Sequence, residues 1–189
     1  MKRAIIIHGM PSKEEYFDPK SVAPSHNHWF SWLQRQLLLN EVLTQTPEMP
    51  EPYSAKYEDW RDILNRFHPD EKTILVGHSL GGGFLVRWLS EANAKVGKVV
   101  LVAPWLDPNK ELETDFFNFL IDPQLVSKTE STAIFISDDD DKEELDSTER
   151  LKSEVENILV KEFKGKGHFI LAHMGTEEFP ELRDFLLDK

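Results

Sequence analysis

The chain contains no cysteine. That absence removes disulfides, thiolate metal centres, iron–sulfur clusters and cysteine nucleophiles, and it fits a reducing compartment, with the cytoplasm expected. Cations are scarce beside anions. There are 22 Lys and Arg against 34 Asp and Glu, a formal net charge of −12. With no local run of Lys or Arg to offset it, such a surface repels phosphate backbones and anionic lipid, so neither nucleic acid nor a membrane is expected as a partner. Long hydrophobic runs are missing as well, and nothing approaches the roughly 20 apolar residues of a bilayer span. The start Met1-Lys2-Arg3 mimics the basic end of a signal peptide. The apolar run behind it, Ala4–Ile7, is broken by His8-Gly9-Met10-Pro11 and is too short for a signal's hydrophobic segment. Internal repeats and low-complexity linkers are also absent, so residues 1–189 are read as one domain.

What is present suffices for a core. Hydrophobic residues make up 40% of the chain, with five Trp and 12 Phe among them. A chain of this length buries on the order of 70% of its unfolded surface and needs no metal or disulfide staple. Short β-rich runs predict strands at Arg3–His8, Val42–Thr46, Thr73–Gly77, Lys98–Val102, Thr132–Ser137 and Leu159–Phe163. Between them, helical spacing links Trp29, Trp32, Leu33 and Leu37, and then Tyr57, Trp60, Leu64 and Phe67. Leu151, Val155 and Ile158 form a third stripe, and Phe179, Leu182, Phe185 and Leu186 a fourth. Phe84–Leu89 is apolar nearly all round, as a helix buried on a sheet would be. Strands alternating with helices, without hairpin signals, predict an α/β fold with a mainly parallel sheet and helices on both faces. Two proline-bearing stretches stand outside the pattern. Gly9–Asn27 has the length of a functional loop, and Ala103–Glu130 reads as a short helical excursion over the C-terminal edge of the sheet.

The strongest chemical signal is Gly77-His78-Ser79-Leu80-Gly81, directly after a strand and before a helix. G-x-S-x-G in that setting is a nucleophile elbow. The turn is tight enough to strain the serine, small residues on either side avoid a clash, and the hydroxyl projects above the sheet. Such a serine needs a base later in the chain. His168, in Gly165-Lys166-Gly167-His168-Phe169, is best placed, with His173 its nearest rival. His8 and His78 are expected to line or buttress the site, and His26, His28 and His68 to sit on the surface or in loops. The acid should follow the fifth strand, where Asp138-Asp139-Asp140-Asp141 stands. A solvated acidic turn accounts for three of the four. A calcium loop of the EF-hand pattern does not fit, because its sixth position is Glu143 rather than Gly. For an oxyanion hole, backbone N–H groups are expected from Leu80 and from the loop after the first strand, at Met10. Trp29, Trp105 and Phe116 are candidate pocket walls together with His8.

Taken together these residues resemble the small single-domain α/β-hydrolases of the retinoblastoma-binding protein 9 serine hydrolase type. The resemblance runs over nearly the whole chain. It is carried by Ile5–Met10, Trp29-Phe30-Ser31-Trp32, Met49-Pro50-Glu51-Pro52, Glu71–Gly81, Lys98–Ala103, Ser137–Asp140 and Gly167-His168-Phe169. It implies a doubly wound sheet of about six strands, lacking the first two strands of larger hydrolases. It also implies Ser79 as nucleophile, His168 as base and Asp140 as acid. The family's acid stretch looks like Ser-x-Asp-Asp-Pro, and this chain departs from it in having Asp141 at the proline position. The expectation is a hydrolase of carboxylic esters or related small acyl compounds, acting without cofactor or metal. The alternatives are a protein-binding module that keeps the fold, or a metal hydrolase built from the aspartates with His26 and His28.

Overall fold

In the computed structural model, which describes residues 1–189, six strands form one sheet. They are β1 (Arg3–Ile7), β2 (Leu43–Gln45), β3 (Thr73–His78), β4 (Val96–Val102), β5 (Thr129–Ser137) and β6 (Leu159–Phe163), in the order β2-β1-β3-β4-β5-β6. Every pairing is parallel. The central strands are apolar at nearly every position because both faces are covered. Successive side chains then divide between two cores, as a period of two requires. Ile5, Ile7, Leu75, Val99, Leu101, Ile134 and Ile136 face one core; Ala4, Ile6, Ile74, Val76, Val100, Val102, Ala133 and Phe135 face the other.

The first core is covered by α3 (Tyr57–Asn65), α4 (Leu80–Glu91) and α5 (Lys142–Glu154). The second is covered by α2 (Phe30–Leu39) and α7 (Pro180–Leu187). Two short helices, α1 (Lys13–Phe17) and α6 (Leu171–Met174), bury no residue and belong to the loops. The chain leaves β1 toward one face and β3 toward the other. A crevice therefore opens at the C-terminal ends of these neighbouring strands, the place where ligands bind in open α/β sheets. No helix is long and apolar enough to cross a membrane.

Two expectations about elements need correction. Of the stripe at Leu151, Val155 and Ile158, only Leu151 lies within a helix. The helix lies upstream, ends at Glu154, and buries Glu144, Ser147, Thr148 and Leu151. Its inner face is mostly polar, so hydrophobic spacing does not reveal it. The stretch after β4 contains no α-helix, only a single 3-10 turn at Leu125–Lys128. Pro104, Pro108 and Pro123 remove backbone donors there, and the Asp107 carboxylate binds the amides of Glu111 and Leu112 in a local turn.

Candidate active site

Ser79 sits between β3 and α4 with φ 54° and ψ −120°, a region a serine occupies only when its surroundings force it. Its N–H donates to Val102 O (2.9 Å), and its carbonyl accepts from Gly83 N and Trp105 N (both 3.1 Å). The flanking glycines are sterically required. A methyl group on Gly77 would run into the Gly81 carbonyl, and one on Gly81 into the carbonyls of Ile7 and His8. Leu80 opens α4, so its N–H has no partner within the helix. Across the crevice Met10 stands on the rim, and both Met10 and Ser79 line one pocket of about 250 Å³.

His168 reaches that same pocket from the loop between β6 and α6. Its Nδ1 lies 3.0 Å from Asp140 Oδ1. The loop is held from four sides. Its own backbone is gripped by two other imidazoles: His168 N–H donates to His173 Nδ1 (2.9 Å), and His78 Nε2 donates to the His168 carbonyl (2.8 Å). The acidic run braces it, with Asp138 Oδ1 accepting from Gly165 N (3.1 Å) and Asp139 Oδ1 from Gly167 N (2.8 Å). Phe169 anchors it in the second core, stacked on Phe179 with centroids 5.3 Å apart. Trp29 Nε1 donates to Phe169 O (3.0 Å). Gly167 adopts φ 50°, and a side chain there would collide with the His173 ring. Ser79 and His168 share the pocket wall, and no hydrogen bond joins their side chains in this structure. Such contacts are often loose until substrate is bound.

The surrounding charges follow from burial and neighbours. His8 is buried. It accepts from Met49 N at Nε2 (2.9 Å) and donates from Nδ1 to Gly9 O (2.7 Å), so it is the neutral tautomer, and burial lowers its pKa further. Burial likewise holds His78 well below the ordinary value, with His168 and His28 adding to the effect. For His168, burial opposes protonation. The hydrogen bond and charge of Asp140, reinforced by Glu144 and Asp141, outweigh it and raise the pKa. Glu144, a buried carboxyl 3.9 Å from His168 Nδ1, is pushed up to about 7, chiefly by desolvation.

Several residues stand elsewhere than the sequence suggested. Trp29, Trp105 and Phe116 do not line the pocket. Trp29 lies in the second core and ties down the histidine loop. Trp105 donates to Glu143 Oε2 (2.6 Å) and packs on Phe117. Phe116 is fully buried against Trp60 and Phe84. The driving force that buries large aromatics in a core outweighs any role at the rim. His28 lies in a turn, as a loop residue should, but is half-buried. It lines the pocket, and burial together with His168 and His173 lowers its pKa to about 4. The long segment after β1 contributes Glu15, Tyr16, Val22, Pro24 and Asn27, none of which sequence reasoning singled out beyond the length of that segment. His26 does not join the aspartates; its Nδ1 pairs with Ser25 Oγ (2.7 Å). The group that does converge is Asp140, Glu144 and His168, with acceptor and donor atoms within 4.8 Å of one another. Within it His168 Nδ1 and Asp140 Oδ1 already satisfy each other at hydrogen-bond distance.

Comparison with known proteins agrees with this architecture. The protein YdeN of Bacillus subtilis (strain 168) is 29% identical over 192 residues, covering 98% of this chain and 94% of YdeN. The crystal structure of the B. subtilis ydeN product superposes with a TM-score of 0.82 at 28% identity, covering 100% of this chain and 98% of that one. A YdeN-like protein from Pectobacterium atrosepticum (TM-score 0.67, 19% identity, 99% and 90% covered) shares the fold. So does Est1E from Butyrivibrio proteoclasticus (TM-score 0.64, 17% identity, 99% and 87% covered). The family model described as serine hydrolase matches residues 22–188, nearly the whole chain, and the protein belongs to that serine hydrolase family with an α/β-hydrolase fold.

Proposed function

We propose that the protein hydrolyses carboxylic esters or related small acyl compounds through Ser79, His168 and Asp140, in the manner of the retinoblastoma-binding protein 9 type. The observation that carries this reading is the 3.0 Å contact between His168 Nδ1 and Asp140 Oδ1 beside an elbow serine. Two residues from separate loops meet only if the fold holds them there. In the reaction His168 takes the Ser79 proton at Nε2 as Oγ attacks the acyl carbon. Asp140 fixes the tautomer that presents Nε2 and steadies the imidazolium. The amides of Leu80 and Met10 receive the oxyanion. His168 then protonates the leaving group, and a water activated by the same ring releases the acyl group from Ser79.

His168 must be neutral to act as base, and its pKa is raised. Turnover should therefore climb with pH through a midpoint above the ordinary histidine value of about 6.5. A pH–rate profile with its midpoint well below that value would contradict this protonation scheme. The pocket, at about 250 Å³, is at the small end for ligand sites, which favours short acyl groups. Replacing Ser79 tests the reading. Ser79→Ala should abolish turnover of p-nitrophenyl acetate and butyrate while circular dichroism stays unchanged. Undiminished cleavage by the folded variant would remove the proposal.

A further inference from the structure

The acid side of the site holds one carboxyl more than the hydrolytic scheme uses. Glu144, in the first turn of α5, is only 7% exposed, and its Oε1 lies 3.9 Å from His168 Nδ1. The Asp140 carboxylate beside it is used unevenly. Oδ1 accepts both from His168 Nδ1 (3.0 Å) and from Asp141 N (2.9 Å), whereas Oδ2 is buried without any partner. A buried carboxylate oxygen with no donor is unfavourable, and two carboxyls within 4.8 Å of one another resist being ionised together. A single proton held on the second carboxyl relieves both problems.

We propose that Glu144 is a positioning residue for the Asp140–His168 pair: as a neutral carboxyl it turns its O–H toward Asp140 Oδ2 and leaves Oδ1 to His168. The nearness of the two buried carboxyls stands on the geometry, and its consequence for turnover rests on the hydrolytic reading above. Burial pushes Glu144 up to about 7; His168 opposes the shift, and Asp140 and Asp141 add to it. These are the titratable groups acting on it from the turn and from the histidine loop. On the side of the excursion after β4, Glu143 is engaged by Trp105 Nε1 and Asn109 Nδ2, and Asp107 by main-chain amides. His168 in turn faces Asp140, Glu144 and Asp141, with His28 and His78, both low in pKa, beyond it.

The consequence is a coupled titration. As pH rises through the Glu144 range its proton leaves to solvent, and a second negative charge appears close to His168. That charge favours the imidazolium, so the base stays protonated to higher pH than Asp140 alone would cause. Glu144→Gln keeps an N–H donor for Oδ2 but cannot ionise. His168 should then lose its proton earlier.

The test is a histidine ring titration by ¹H–¹⁵N NMR in the intact protein and in Glu144→Gln. The His168 midpoint is expected to fall by about one pH unit in the variant, and the acid limb of kcat/KM for a short ester should move the same way. An unchanged His168 midpoint in the folded variant would overturn the proposal. A second measurement needs no variant: the ¹³C signal of the Glu144 carboxyl in the unaltered protein should titrate near 7. Titration near the ordinary glutamate value of about 4.3 would overturn the proposal by itself. Neither NMR measurement depends on turnover. A His168 shift in a protein that cleaves no ester would uphold the role of Glu144 and remove the hydrolytic reading instead.

Discussion

A carboxylate serves His168 only if an oxygen reaches Nδ1, and within Asp138–Asp141 the backbone gives that reach to Asp140. Asp138 and Asp139 point back to the histidine loop through Gly165 N and Gly167 N, and Asp141 opens α5. The four neighbours therefore differ in their response to substitution. Asp140→Asn should lower kcat for a short ester by about 10⁴ through loss of the tautomer. Asp139→Asn keeps an acceptor for Gly167 and should stay within about tenfold, whereas Asp139→Ala frees the loop and should cost about 10- to 100-fold by misplacing His168. Equal kcat for Asp139→Ala and the unaltered protein would show that the brace is dispensable. At this scale the sequence was only partly legible. Ser79 and His168 stand out by motif and flanking glycines. The choice of Asp140 needed a family resemblance, since four adjacent aspartates look alike in a list of residues. Glu144 was invisible, one acidic residue among 34, because Asp140 lies in the turn before α5 and no helical spacing links the two.

Elements were legible where burial is two-sided. The core strands have no polar face, so each appears as an apolar run, and the observed bounds differ from the expected ones by at most three residues, at the start of β5. α5 escapes hydrophobic patterning because Glu144, Ser147 and Thr148 occupy its inner face. Ser147 shows why such a face is tolerated, since its Oγ accepts from Leu106 N (3.0 Å) and donates to Glu143 O (2.6 Å). The stretch after β4 is likewise held by polar contacts that hydropathy cannot display. Arg87, buried in α4, donates to the carbonyls of Asp115 and Phe116, pairs with Glu91 at 3.0 Å, and lies 3.7 Å from the Tyr57 ring centroid. Arg87→Met fills a similar volume and orphans those acceptors. It should lower stability by about 2–4 kcal/mol, read from the urea midpoint, and expose the stretch after β4 to limited proteolysis. An unchanged midpoint would mean that this stretch is anchored by its aromatic residues alone.

For the molecule as a whole, the net charge of −12 and the topology act together. The sheet order places the crevice between the loops after β1 and β3, and no Lys or Arg lines the resulting pocket, while Glu15 does. An acyl chain ending in a carboxylate meets repulsion from both the pocket and the whole field. At low salt, kcat/KM for a hemisuccinate ester should fall about tenfold below that for the butyrate ester of the same alcohol, and the gap should narrow as salt screens the field. A gap that is absent at low salt would count against electrostatic selection. The topology itself could be anticipated, because alternating strands and helices leave few arrangements. The pocket could only in part: His8 and His78 line it as expected, beside Ser79 and His168, while much of the remaining wall comes from the segment after β1, whose path no periodicity encodes.

Ser79 is proposed as the nucleophile of this fold. Its most direct test is labelling with a fluorophosphonate probe, followed by mass-spectrometric mapping of the modified peptide. One adduct is expected, on Ser79, formed in the unaltered protein and lost in folded Ser79→Ala. An adduct on another residue, or labelling that persists in Ser79→Ala, would contradict it.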